Sequence, residues 1–163
     1  MNTPQSSSSR AKPTFLKVRP ATARVMSALA LVALHAWFLL KFFLVEPQPE
    51  LQVAVGLCGL VGMLSAVFVF VTRYTFQAHA SQGDIDEREL LQRNAAYFRT
   101  HQYMIVMVLV GLLVMEFWER ATGLTISVGQ LGNFLNVLFF SGLIMPATIL
   151  AWQDRSEEAP EED

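Results

Sequence analysis

Four apolar blocks, each about as long as a bilayer is thick, leave this chain little choice of environment. They run over roughly 22–45, 51–72, 102–120 and 131–152. A helix rising 1.5 Å per residue needs about 20 residues to cross some 30 Å of hydrocarbon. The blocks are continuously apolar and do not alternate, which argues against transmembrane β-strands. Charged residues are 16% of the 163, against about a quarter in a soluble domain, and most fall between the blocks. The expected fold class is therefore all-α, an integral membrane four-helix bundle.

The first block reads as an uncleaved span: it is longer than a signal-peptide core, and Glu46-Pro47-Gln48-Pro49 follows it without a small-residue cleavage site. That short linker makes the first two spans an antiparallel hairpin. Orientation follows from Lys and Arg near the span ends. Arg10, Lys12, Lys17, Arg19, Arg24, Arg73, Arg88, Arg93, Arg99 and Arg155 fall on one side, Lys41 and Arg120 on the other. The termini and the 73–101 segment are expected in the cytoplasm, and the protein in the inner (plasma) membrane. Residues 1–21, with four consecutive serines and several prolines, read as a disordered basic tail able to meet anionic lipid. Residues 153–163 read as an acidic tail, and 22–152 as the membrane domain.

Within the polar 73–101 segment, Asp84 and Glu87 form a capping-box pattern, so a short cytoplasmic amphipathic helix is expected over about 84–100. Leu91, Ala95 and Phe98 would give it an apolar stripe able to rest on the membrane surface. No proline follows, so it either continues into the third span or bends near Thr100-His101. The stretch Asp86-Glu87-Arg88-Glu89-Leu90-Leu91-Gln92-Arg93-Asn94-Ala95-Ala96 resembles a family of small, uncharacterised four-span prokaryotic membrane proteins, a domain of unknown function. There an Asp-Glu-Arg motif, an aliphatic residue and an alanine precede the third span; this chain has Asn94 where that family has lysine. The resemblance implies the span layout and no mechanism. Asp86, Glu87, Arg88 and Glu89 are candidate interaction residues, and equally a solvated first helical turn with acids at the positive dipole end.

Ala54, Cys58, Gly62 and Ala66 recur every fourth residue in the second span, with Gly59 beside them. Small residues at this spacing let helix backbones approach closely, against another span of the chain or against a second copy. Cys58 fits as a packing residue.

His35 lies near the middle of the first span, where a polar side chain is costly and functional by default. Its expected role is a hydrogen bond inside the bundle; a proton-linked role and a cofactor are the sharper alternatives. Lys41, Glu116, Glu119, Arg120, Asn133 and Asn136 gather at the outer span ends, as snorkelling and interhelically bonded groups or as an outward-facing ion or ligand site. Lys41 and Glu116 lie at similar depth and are expected to pair. Pro146 should free the Gly142 carbonyl and kink the fourth span.

No nucleotide fingerprint, zinc spacing or catalytic constellation appears in the sequence. No cofactor, metal, nucleic acid or enzymatic activity is expected. An accessory, regulatory or structural membrane protein is expected, partnered by lipid, by itself as a homodimer or by another membrane protein. The alternative is a small, dimeric proton- or ion-linked transporter subunit.

Overall fold

The computed structural model describes Leu16 and residues 18–44, 49–80 and 86–154, and these form five helices. They are α1 (Pro20–Phe43), α2 (Pro49–Phe70), α3 (Arg73–His79), α4 (Glu87–Thr122) and α5 (Val128–Gln153). Helices α1, α2 and α5 are each long and apolar enough to cross a membrane. Pro20 opens α1 at a position where its missing N–H costs no helical bond. Ser127 and Gln130 close a capping box that starts α5. Before it, Gly123 ends α4 in the left-handed conformation, φ 68°, which a residue without Cβ adopts freely. Pro146 is buried and α5 continues through it as helix.

Helix α5 is the centre of the arrangement, packing on α1, α4 and α3 and along a shorter stretch on α2. α1 and α2 share the most extensive contact. α4 takes its helix–helix contacts from α5 and, near its start, from α3; it meets α1 only through long side chains. One buried cluster joins Ala23, Leu34, Ala66, Tyr74, Ala96 and Leu150 across all five helices. A second joins Phe38, Phe42, Met115 and Phe134 towards the other end.

The segment between α2 and α4 departs from the sequence reading in three ways. The expected separate helix over 84–100 is the first part of α4, a continuous helix of 36 residues, about 54 Å long. No proline or glycine lies between Glu87 and Val110 to stop it. The capping box falls on Asp86 and Glu89, not on Asp84 and Glu87. Overlapping acids offered both registers, and the structure takes the second. Lastly, α3 was not anticipated: it buries Tyr74, Thr75 and Ala78 and packs on α5.

Leu91, Ala95 and Phe98 are exposed along α4, Leu91 by 65% and Phe98 by 63%. Of the expected disordered tail, Leu16 is tied down: its N–H donates to the Val71 carbonyl at 3.3 Å, across the α2–α3 junction. The rest of 1–15, Lys17 and the expected acidic tail beyond Asp154 lie outside the described residues.

Candidate functional site

Much of the small face of α2 packs inside the chain. A Cβ on Gly62 would sit 3.0 Å from the backbone nitrogen of Leu34, and one on Gly59 2.7 Å from the Trp37 ring. The Cys58 thiol donates to the Ala33 carbonyl at 3.3 Å. Ala66 is in the core, while Ala54 is exposed. Close approach to α1 therefore engages Cys58, Gly59 and Gly62 of this face within the chain, as the first of the two expected packings has it.

His35 makes a bridge between helices. Its Nδ1 lies 2.6 Å from the Leu31 carbonyl of its own helix, and its Nε2 lies 2.7 Å from the Tyr103 hydroxyl on α4. A carbonyl can only accept, so Nδ1 carries the proton, and in the neutral ring Nε2 accepts from Tyr103 O–H. Ser141 of α5 lies beside Tyr103. Its Oγ is buried and turned to the Tyr103 hydroxyl without closing to full hydrogen-bond geometry, whereas Ser27, Thr72, Thr75, Thr100 and Thr148 each donate to a nearby backbone carbonyl. Three helices thus contribute one hydroxyl, one imidazole and one phenol to a single spot between apolar walls.

Tyr103 was missed because the third apolar block begins at Gln102, which makes a tyrosine there look like an interface anchor. The packing of α4 on α5 moves it inward. Met104 covers Gly142, and Ala96 shares a cluster with Leu150 and Ala151, so α4 from about residue 96 runs level with the body of α5.

A second polar network closes the end where α1 begins and α5 stops. Asp154, the C-cap of α5, pairs with Arg73 and accepts from the Tyr74 hydroxyl at 2.8 Å. Arg73 donates to the Tyr74 hydroxyl at 3.1 Å and lies over its ring. Arg24 of α1 donates to the Ala151 carbonyl at 3.1 Å and to the backbone carbonyl of Asp154. The bond with Tyr74, joined by the charge of Asp154, raises Arg73 above its ordinary pKa. Burial pushes the Tyr74 hydroxyl up, against the lowering effect of Arg73, so it stays a donor. Alongside, Arg93 donates to the Ala80 carbonyl, and Tyr97 meets His79 at 2.9 Å, fixing α4 to α3. Arg24, Arg73 and Asp154 had been visible in the sequence only as charges near span ends.

The polar group at the opposite end does not converge. Glu116 pairs with Arg120 one turn along α4, which corrects the expected pair with Lys41. Lys41 instead lies 5.3 Å over the Trp37 ring. Glu119 accepts from the Ile126 N–H at 3.0 Å and holds the α4–α5 connection. The two glutamates line the hollow between α4 and α5, whereas Lys41 and Asn136 line hollows beside α1 and α2. Asn133 and Asn136 make no hydrogen bond among the described residues, against the expected interhelical bonds. Gln130 does, donating to the Phe42 carbonyl at 3.2 Å.

Of the proposed interaction residues, Asp86 and Glu89 are committed to the capping box, and Glu87 and Arg88 are exposed. Among the described residues no three of His, Cys, Asp and Glu come together as metal ligands do. Comparison of the chain with protein-family models, with curated proteins and with solved structures gives no match.

Proposed function

We propose that this is a four-span integral protein of the inner (plasma) membrane, with both termini cytoplasmic, serving as an accessory, regulatory or structural membrane protein. α1, α2 and α5 supply three spans, and the part of α4 level with α5 supplies the fourth. The Asp86–Ala96 resemblance to four-span proteins agrees with this layout, and the excess of Lys and Arg on one side sets its direction. The observation that carries the functional reading is His35. Both ring nitrogens are bonded, so the titratable side chain in the middle of α1 is committed to joining helices. The exposed Glu87 and Arg88, at the tip of the α4 extension, are the side chains left to meet a partner.

The second reading is a small proton- or ion-linked transporter subunit, dimeric. The buried Ser141 hydroxyl favours it, because beside Tyr103 it extends the His35–Tyr103 contact towards a third helix. Purified protein reconstituted with a lumenal pH dye decides between the two. Under an imposed pH gradient it should pass protons no faster than empty vesicles, and Tyr103→Phe should change nothing. A flux that disappears in Tyr103→Phe and His35→Gln would replace the accessory reading with transport.

Topology is tested separately, in a Cys58→Ala background. Single cysteines at Ser7, Gln82 and Glu161 should resist an impermeant thiol reagent in intact cells, and one at Gln48 should react. Labelling of position 82 from outside would overturn the four-span layout.

A further inference from the structure

Helix α2 meets α5 through Ala66 and Val69 at the Arg73 end, but parts from it towards the Lys41 end, where α2 is mostly exposed. The parting leaves a groove of about 540 Å³ along α1, bounded by Leu34, Trp37, Gly56, Leu60, Asn136 and Phe140. This is within the usual size of a small-molecule site. A contiguous hollow of about 420 Å³ shares Trp37 and Gly56 and reaches Lys41, Leu44 and Gln52. The lower part is lined almost wholly by carbon, and the upper part ends at a cation.

We propose that this groove is a binding site for one anionic phospholipid, its acyl chain lying between α2 and α5 and its phosphate at Lys41. The assignment rests on the membrane reading above, and three observations point to this occupant. The groove opens sideways from an apolar helix pair, so in a bilayer an acyl chain is what reaches it. Lys41 lies in the last turn of α1, at the depth where a headgroup begins, held over Trp37 as amphipathic residues at an interface are. And no ion pair among the described residues neutralises Lys41. Glu116 and Glu119 are engaged on the far flank of α5, so the positive charge is left for a ligand.

Gly56 offers a clean test, because a Cβ there meets nothing within 4 Å. Gly56→Phe fills the groove without disturbing the α1–α2 contact. Gly132, equally open and outside the groove, takes the same substitution as the control. Detergent-purified protein incubated with a mixture of phosphatidylglycerol and phosphatidylcholine is read by native mass spectrometry, which does not depend on which way the chain crosses the membrane. The wild type and Gly132→Phe should each retain one phospholipid per chain, enriched in the anionic species. Gly56→Phe should retain none. Lys41→Gln should lower the preference for phosphatidylglycerol about fivefold, the weight of one basic residue beside anionic lipid. Retention by Gly56→Phe equal to the wild type, or wild-type retention blind to headgroup charge, would overturn the site. Loss of the four-span topology in the labelling experiment would leave the retention result standing on its own.

Discussion

A leucine at Gly111 is expected to abolish the folded state, and even an alanine there to cost about 1–3 kcal/mol through overpacking. A Cβ at this position would lie 2.2 Å from Cζ of Phe134 and 2.5 Å from Cε2. Phe134 has little room to retreat: it is 4% exposed and its ring centre is 5.6 Å from that of Phe38. The contact is a point where α4 rests on α5, the long helix on which α4 packs most closely. The measurement is unfolding in mixed micelles as the denaturing detergent fraction rises, followed by tryptophan fluorescence. Shortening the opposing side chain should relieve the clash, so Gly111→Ala with Phe134→Leu should be more stable than the sum of the two single changes implies. Strict additivity, or a Gly111→Leu protein that unfolds where the wild type does, would show that the two helices do not meet here.

Asp154→Ala should lower stability by about 2–3 kcal/mol, most of it through a buried group left without its acceptor. Tyr74 is 2% exposed and donates to Asp154 at 2.8 Å. The neighbouring Arg73 is itself a donor and cannot replace the carboxylate. The Arg73–Asp154 ion pair adds little by itself, because the Arg73 side chain is 47% exposed and solvent screens it. Asp154→Asn keeps an acceptor for Tyr74 and should fall between the wild type and alanine. For a chain of this size, each kcal/mol lost lowers Tm by about 2–4 °C.

The same network has a pH signature. Burial raises the Tyr74 pKa, so above about pH 10 the unfolded chain gives up that proton while the folded one still holds it. The wild type should therefore lose stability as the pH rises through that window, and a Tyr74→Phe variant should lose less. Equal alkaline sensitivity in both would show that Tyr74 is not held as described.

Much of the helix layout was legible because it depends on local rules. Continuous apolar runs ended by Arg73 or by the proline-bearing linker after Val45 place α1, α2 and α5 within a few residues of their observed bounds. The glycines of α2 announced a close helix contact. The capping register was harder, since Asp84 with Glu87 and Asp86 with Glu89 satisfy the same spacing, and α3 is too short to show a period. At the candidate site, His35 stood out as a polar residue in an apolar run, but its partners did not. Tyr103 stands at the edge of the third apolar block and Ser141 is one small residue within the fourth, and nothing local marks either as a partner.

What the sequence determined by itself is that the chain is helical and apolar enough to cross a membrane, because hydrophobicity and helix pitch act residue by residue. What only the tertiary structure decided is which polar groups meet. Lys41 and Glu116 match in depth, and depth is readable from residue counting. Yet they do not pair: Glu116 faces the α4–α5 side and bonds Arg120, while Lys41 lies over Trp37 on the α2 side of α1. The order of helices around an axis, and the sliding register of α4 along α5, are set by contacts such as Gly111 with Phe134 and Met104 with Gly142. Those contacts lie tens of residues apart, and no single helix carries a record of its neighbour.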